Sequence, residues 1–404
     1  MHDSPLLGQI LLGYAPIVGP GGQVSGLQLA LMPEQSQTRL DAADLLALLE
    51  RVFPDEAQAT PRAPLSVLLN IVSESLLEDL MSLHPPSRFG LELPAFMTSG
   101  AERAGRFRDL HAKQVSLVAK GWAVASLPES LLQSFSALIV DAADEDLGID
   151  RPPSRGPRRL DTYIEGVRSS AELELAFKSG ALGVLGLPDD DDDAAPSQAS
   201  LAPELRVIVE LMQLAAHKAP FERLQAMVQS DAALASSFVR LINSPAFGWR
   251  VEVPSFAHAF LLLGHARLLR WLALLLVWSV PGVRAGPLAQ LAVRRGLTMS
   301  ALARSAGQED LQDEMFICGV LSLLDRMTGL TFQDLAGLVP MPARVQASMA
   351  GPAGPYAQHL NLLAALEHAS FAEIGEAADS LSIPQGDVNR AVLAALAAAR
   401  RFGA

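Results

Sequence analysis

Five consecutive aspartates, Asp189 to Asp193, interrupt the chain near its middle, at the point where its sequence pattern changes. The stretch from 189 to 200 contains no large apolar side chain. Because like charges in series repel one another and stay solvated, this stretch is predicted to be a linker, and a metal-binding role for it is the disfavoured alternative. We expect a first domain over residues 1–187, an acidic linker over 188–202 and a second domain over 203–404.

Before the linker, short apolar runs alternate with stretches of helical spacing. Residues 11–18 and 24–31 flank Gly19-Pro20-Gly21-Gly22, which predicts a β-hairpin. Further strands are predicted at 65–69, 89–93, 123–127 and 137–140, and helices at 41–53, 73–83 and 101–120. Strands interleaved with helices indicate α/β architecture with a parallel sheet. We expect the sheet to close as a TIM-like barrel, and a doubly wound sheet is an alternative with the same local signature.

After the linker the strand pattern disappears and the sequence predicts an all-α domain. Gly and Pro separate the predicted helices. These lie at 205–217, 220–229, 232–243, 255–263, 266–279, 287–305, 310–328 and 387–401.

Composition excludes several classes of function. The formal net charge is −13, and without the five linker aspartates it is 31 minus 39, or −8, so no basic face is expected for nucleic acid. The lone Cys318 excludes an intramolecular disulfide and a CxxC zinc site. No signal peptide follows Met1, and the most apolar stretch, 271–280, is too short to span a membrane. These features predict a cytoplasmic protein without membrane insertion.

Four motifs of the N-terminal half together resemble the EAL domain, over about residues 8 to 187. That family has a TIM-like barrel and hydrolyses cyclic di-GMP with divalent metals bound to carboxylates at strand ends. The motifs are Gly13-Tyr14-Ala15-Pro16-Ile17-Val18, Gly26-Leu27-Gln28-Leu29-Ala30-Leu31, Leu68-Leu69-Asn70 and Ile164-Glu165-Gly166-Val167.

Position by position, this resemblance implies a degenerate site. Asn70, Glu92 and Glu165 survive, but three scattered groups do not supply the ligands and base of two-metal hydrolysis. We expect them to act as hydrogen-bonding groups rather than as metal ligands. The departures from the family are Gln28 for the signature glutamate, Met32 for the following arginine, Arg168 for a second glutamate and Leu185-Gly186 for a final Gln-Gly. Placing the aspartate-pair strand at Gly121-Trp122-Ala123-Val124-Ala125 puts Ser126, Leu127, Pro128 and Glu129 after it, and the strand 137–141 lacks the catalytic lysine.

The C-terminal half resembles the HDOD domain, an all-helical relative of metal-dependent HD phosphohydrolases that generally lacks their metal ligands. The resemblance rests on the blocks 241–248, 254–259 and 261–264, which include Asn243-Ser244-Pro245 and Pro254-Ser255. Ser322 and Leu323 occupy the positions where a metal-binding His-Asp pair is expected. Cys318 is expected to be a small buried hydrophobe.

The segment 372–399 superficially resembles a helix-turn-helix, with Asn389 and Arg390 early in its second helix. It offers too few cations to contact phosphates, so a packed helical hairpin is preferred. We therefore expect a non-catalytic bacterial signalling protein that binds other signalling proteins, with no catalytic residue, metal ligand or cofactor. The alternatives are a cyclic di-GMP receptor without hydrolysis and a residual metal-dependent phosphodiesterase.

Overall fold

The computed structural model describes residues 4–35, 39–54, 66–98, 101–121, 129–143, 160–188, 201–231, 234–236, 238–239, 256–282 and 285–400. The chain forms two compact units. The first comprises Met1–Asp193 together with Ala364–Asp379 and Pro384–Asn389, and the second comprises Ala194–Leu363, Ser380–Ile383 and Arg390–Ala404. Two pieces of the C-terminal sequence therefore belong to the same unit as the first domain, which a division at the acidic linker alone does not anticipate.

The first unit is a closed eight-stranded barrel, which confirms the predicted TIM-like architecture over a doubly wound sheet. The hairpin strands β1 and β2 pair antiparallel, β2 through β8 run parallel, and β8 closes on β1 in antiparallel orientation. The strands are β1 Ile10–Val18, β2 Val24–Pro33, β3 Val67–Ile71, β4 Phe89–Pro94, β5 Ser116–Lys120, β6 Ala137–Asp141, β7 Asp161–Glu165 and β8 Gly183–Leu185.

The described helices of the barrel follow from local capping signals. Asp41 and Ser73 accept hydrogen bonds from the first backbone amides of α1 (Ala42–Val52) and α2 (Glu74–Leu83). The others are α3 (Ala101–Ala112), α4 (Glu129–Leu132) and α5 (Ser170–Lys178). Most of the β6–β7 connection, residues 144–159, lies outside the described residues.

One cluster of buried side chains fills the barrel interior and shows which face of each strand points inward. It contains Ile17, Leu68, Val118 and Tyr163 from the odd-numbered strands, with Ala137, Ile139 and Leu185 from β6 and β8. Layers contributed by alternate strands are typical of TIM-type barrels. Because directly paired residues point to the same face, the interior-facing position on each neighbouring strand can be read from the register.

The predicted helix 101–120 is wrong in its second half. The helix ends at Ala112, Gln114 has a positive φ of 63°, and the residues from Ser116 form β5. The leucine and alanine spacing continues across this turn, so periodicity alone hides it. The predicted strand 123–127 lies outside the described residues, and the strand predicted at 65–69 is observed at Val67–Ile71.

The second unit is helical, as predicted. The predicted helices 255–263 and 266–279 form one kinked element, Phe256–Ser279, with non-helical backbone at Gly264. Its apolar stretch is core: Trp271, Leu272 and Leu276 are at most 1% exposed. The remaining helices from residue 201 onward, some of which include residues of the first unit, are Pro203–Ala216, Phe221–Ser230, Ala285–Ser305, Gln312–Leu321, Leu324–Thr328, Phe332–Leu338, Ala343–Ala350, Ala357–Glu367, Phe371–Ser380 and Gln385–Ala399.

The motifs that carry the HDOD resemblance are only partly described by the structure. The motif 241–248 and the start of 254–259 lie outside the described residues.

Where the structure describes the chain, no single helix has the length and apolarity to cross a membrane, although the bent pair Glu309–Thr328 and Phe332–Leu338 passes that test jointly.

Candidate functional site

The carboxyl ends of the barrel strands bring together the polar residues that the sequence singles out. Leu68, Val118, Ile139 and Tyr163 belong to the interior cluster. Gln28 pairs with Leu68, Glu92 with Val118 and Lys120 with Ile139, so these three polar side chains share the interior face. Glu165 lies two residues beyond Tyr163 on the same face of β7. The site therefore sits at the mouth of the barrel, where TIM-type enzymes place their chemistry.

Lys120 lies between the two surviving carboxylates. Its Nζ is 3.2 Å from Glu92 Oε1 and 2.7 Å from Glu165 Oε2. The second Glu92 oxygen, Oε2, accepts a hydrogen bond of 2.7 Å from Gln28 Nε2. Both oxygens of Glu92 are thus satisfied within the protein, although its side chain is only 2% exposed. The arrangement is a closed ion-pair network.

The pKa values of this network reflect burial and mutual attraction. Burial raises the pKa of Glu92 above 4.5, and the opposing effects of Lys120 and Gln28 only partly offset it. Burial lowers the pKa of Lys120, but attraction to Glu92 and Glu165 outweighs burial and leaves that pKa raised. The ammonium is therefore held in its charged form at neutral pH.

Other residues at the mouth make hydrogen bonds or apolar contacts within their own part of the barrel. Asp141 Oδ1 accepts a hydrogen bond of 2.8 Å from the backbone amide of Ala143. The backbone amide of exposed Arg168 donates to Glu172 Oε2 over 2.8 Å at the start of α5. Leu185, at the position of the family's glutamine, belongs to the apolar interior cluster.

These residues do not fit the divalent metals that the EAL resemblance implies. A divalent ion needs carboxylate oxygens at roughly 2.0–2.6 Å, yet an ammonium already lies against the oxygens of Glu92 and Glu165. Within the described residues, no group of three or more His, Cys, Asp or Glu side chains could hold a metal ion. Asn70 lies on the interior face of β3, two residues beyond Leu68 and paired with Ala30.

Lys120 is the residue that sequence reasoning missed. Aligning the aspartate-pair strand with 121–125 places this lysine before the strand, whereas β5 ends at Lys120 itself. The missed signal is the short apolar run Leu117-Val118-Ala119, bounded by Ser116 and by the charge of Lys120 before Gly121. The conclusion that no aspartate pair follows this strand is unchanged, because the strand ends in Lys120 and Gly121.

A second buried cation lies at the position where HD relatives carry their His-Asp pair. Ser322 Oγ accepts a hydrogen bond of 3.0 Å from Arg295 Nη1 and donates one of 2.8 Å to the carbonyl of Gly319. Arg295 and Ser322 are 8% and 9% exposed, and Leu323 is buried. Arg295 and Ser322 therefore form a buried hydrogen-bonded pair.

Cys318 lies in the helix Gln312–Leu321, which ends just before Ser322, and is fully buried, as the sequence predicts. Burial raises the pKa of its thiol to about 12. A thiol with this pKa is protonated at neutral pH and is a poor nucleophile.

Comparison with known proteins identifies a domain within the second half of the chain. The family model of the HDOD domain matches residues 201–332. The cyclic di-GMP phosphodiesterase CdgJ of Vibrio cholerae serotype O1 is 21% identical over 199 residues, which cover 49% of this chain and 46% of that protein. The match thus spans less than half the length of this curated relative.

Among solved structures, two matches each extend over nearly half of this chain. The phosphodiesterase PaMucR in complex with c-di-GMP matches with a TM-score of 0.31 and 16% identity, over 45% of this chain and 93% of that one. The EAL domain of DcpA from Mycobacterium smegmatis matches with a TM-score of 0.30 and 16% identity, over 44% and 90%.

The fold and the two sites define a two-part chain in which a TIM-like barrel precedes a helical region that contains an HDOD domain. Residues 201–332 match the HDOD domain, and 199 residues of the chain are similar to part of a cyclic di-GMP phosphodiesterase.

Proposed function

We propose that this chain is a non-catalytic signalling protein that acts by binding other signalling proteins in the cytoplasm. The observation that carries the proposal is the position of Lys120, whose ammonium contacts Glu92 and Glu165 at 3.2 and 2.7 Å. An internal cation supplies the positive charge that these carboxylates would otherwise draw from a metal. It cannot activate water as a metal ion does.

The helical unit supports the same proposal. The positions expected for a His-Asp pair carry Ser322 and Leu323, and Arg295 is hydrogen-bonded to the former. Both sites have thus exchanged anionic or imidazole ligands for groups that are satisfied within the protein. Protein binding requires none of these ligands, and one fold can host functions other than the chemistry of its relatives.

A cyclic di-GMP receptor without hydrolysis is the second candidate. It is favoured by the partial exposure of Lys120, which is 34% exposed at the barrel mouth and could contact a phosphate. It is disfavoured by Met32, since the arginine that the family places there is absent. Isothermal titration calorimetry of the full chain with cyclic di-GMP separates the two candidates, because a micromolar Kd would establish the receptor.

Manganese is the probe that tests whether Glu92 and Glu165 bind a divalent metal while Lys120 lies between them. The full chain should show no hydrolysis of cyclic di-GMP with millimolar Mg²⁺ or Mn²⁺, and Mn²⁺ should leave its Tm unchanged. Lys120→Asp places a third carboxylate beside Glu92 and Glu165, so Mn²⁺ should raise the Tm of this variant by several degrees.

Lys178→Asp is the matched control, because Lys178 is 71% exposed and its ion pair with Glu174 lies on the surface of α5. Metal-dependent turnover by the unmodified chain would refute the proposal. A separate experiment, capture of partners from the encoding bacterium with the tagged full chain, would identify which proteins it binds.

A further inference from the structure

Part of the C-terminal sequence packs against the start of the barrel within the first unit. We call Ala364–Asp379 with Pro384–Asn389 the C-terminal segment, since both pieces belong to that unit. Asn389 is fully buried, and its Nδ2 donates hydrogen bonds of 2.7 Å to the carbonyls of both Leu7 and Ile10. Its Oδ1 accepts from Gln385 Nε2 at 3.1 Å. A buried side chain more than 370 residues away in sequence thus holds the chain where β1 begins.

A second contact shows which side of β1 the C-terminal segment covers. A Cβ added at Gly13 would lie 2.6 Å from Ala369 Cα and 3.1 Å from the carbonyl oxygen of Leu366. Only glycine permits this approach, because real Cβ atoms do not come within 3.0 Å of backbone. The turn around Ala369, which has a positive φ of 51°, therefore rests directly on the backbone of β1.

The strand register places this contact at the barrel mouth. Gly13 pairs with Ala30, and Ala30 pairs with Asn70 on β3. Gly13 has the same parity as the interior residue Ile17, and Ala30 lies two residues beyond interior-facing Gln28. The turn at Ala369 consequently lies over interior-facing Gly13, in the row that continues through Ala30 to Asn70 at the carboxyl ends of β2 and β3.

A segment at this position should bury the residues on its own side of the mouth more than those on the opposite side, and the exposures show this difference. On the β2–β4 side, Gln28, Ala30 and Glu92 are 9%, 3% and 3% exposed. On the β5–β7 side, Asp141 is exposed and Lys120 is 34% exposed.

We infer that the C-terminal segment is a built-in cap on the β1–β3 side of the barrel mouth, held in place by Asn389 and seated on Gly13. A ligand or partner of the barrel reaches the open β5–β7 side directly, and reaches the covered side only when the segment lifts. The cap controls access to the barrel mouth, so the inference holds whether or not the chain hydrolyses cyclic di-GMP.

Thiol labelling of the full chain tests the cap. Ala30→Cys places a thiol beneath the segment, and Asp141→Cys places one on the open side. The native Cys318 is fully buried with a pKa of about 12 and serves as the unreactive reference. We expect the thiol at position 30 to react with an alkylating reagent at least about tenfold more slowly than the thiol at position 141.

Adding Asn389→Ala should accelerate labelling at position 30 about tenfold or more and leave position 141 unchanged, because the anchor at Leu7 and Ile10 is lost. Asn361→Ala, at an exposed position of the helix Ala357–Glu367, is the matched control and should change neither rate. Equal labelling at positions 30 and 141 in the otherwise unmodified chain would overturn the inference.

Hydrogen exchange of the unmodified chain gives a test that does not depend on any variant folding. If the segment caps the mouth, amides of Phe371–Ser380 and of β1 share comparable protection because they open together. Exchange of that helix orders of magnitude faster than β1 would also overturn the inference. Neither result depends on whether cyclic di-GMP is hydrolysed.

Discussion

At the scale of single residues, partners within the protein explain how the barrel accommodates a buried carboxylate. Glu92 is buried, and a buried carboxylate without a partner is strongly destabilising. Lys120 and Gln28 satisfy all of its oxygens. Stability alone is therefore a sufficient reason for these three side chains to be retained together.

Lys120→Met tests how much of the barrel's stability this ion pair provides. Removing the cation leaves Glu92 and Glu165 together without an opposite charge, so the free energy of unfolding should fall by about 1–3 kcal/mol near neutral pH. Chemical denaturation monitored by circular dichroism measures this change. Lys178→Met, which removes a surface ion pair with Glu174, should cost less than about 0.5 kcal/mol.

The effect of Lys120→Met should grow as the pH rises. The pKa of Glu92 in the folded protein is already above 4.5, so the folded state retains a proton that the unfolded state loses, and stability decreases through this pH window. Lys120 lowers that pKa, and its removal raises the pKa further. The difference between wild type and variant should therefore be small near about pH 4 and largest near about pH 7. A difference that shrinks with rising pH would contradict this account.

At the scale of elements, the sequence predicts architecture well and boundaries less well. The hairpin, the parallel strands and the helical second half follow from periodicity and turn residues. The boundary between α3 and β5 does not, because the break at Gln114 depends on a backbone conformation that residue type alone does not specify. Because the predicted helix extended to residue 120, the sequence did not identify Lys120 as the end of β5. The central feature of the candidate site was therefore missed.

Long-range packing is the other feature that sequence patterns could not provide. The segment 372–399 is helical as predicted, but nothing in its spacing indicates that Asn389 binds the carbonyls of Leu7 and Ile10. The early polar position of Asn389 resembles a base-contacting residue in sequence. Its burial excludes that role.

A crossing of two helices in the HDOD region offers a sharp packing test. A Cβ at Gly319 would lie 2.6 Å from backbone atoms of Arg295 and Gly296, and one at Gly296 would lie 2.9 Å from the carbonyl of Phe316. The helices Ala285–Ser305 and Gln312–Leu321 therefore touch through their backbones. Close approach of this kind leaves no room for an added methyl group.

Gly319→Ala should lower the free energy of unfolding by about 1–3 kcal/mol, because overpacking forces the two helices apart. Gly337→Ala is the matched control, since nothing lies within 4 Å of a Cβ at that helical position. The control should be neutral or stabilising by up to about 1 kcal/mol. Equal effects of the two substitutions in urea denaturation would show that the crossing is looser than described.

At the scale of the whole molecule, charge limits the kinds of partner that the chain can bind. The formal net charge is −13, and even without the five linker aspartates it is 31 minus 39, or −8. A surface with this excess of acid repels phosphate backbones at long range. A protein partner is compatible with the same charge, since protein interfaces depend mainly on local complementarity.

The charge predicts that the full chain does not bind duplex DNA. The helix Gln385–Ala399 contains the only sequence feature that resembled a DNA reader, and its residue Asn389 is 0% exposed. Fluorescence anisotropy with a labelled duplex at low salt should show no binding up to about 100 µM protein, near the weak limit of non-specific association. Binding that weakens steeply with added salt would reveal a cationic surface, because released counterions produce that dependence. The same titration with single-stranded RNA should also be flat, since both polymers present the same repulsive phosphates to an acidic protein.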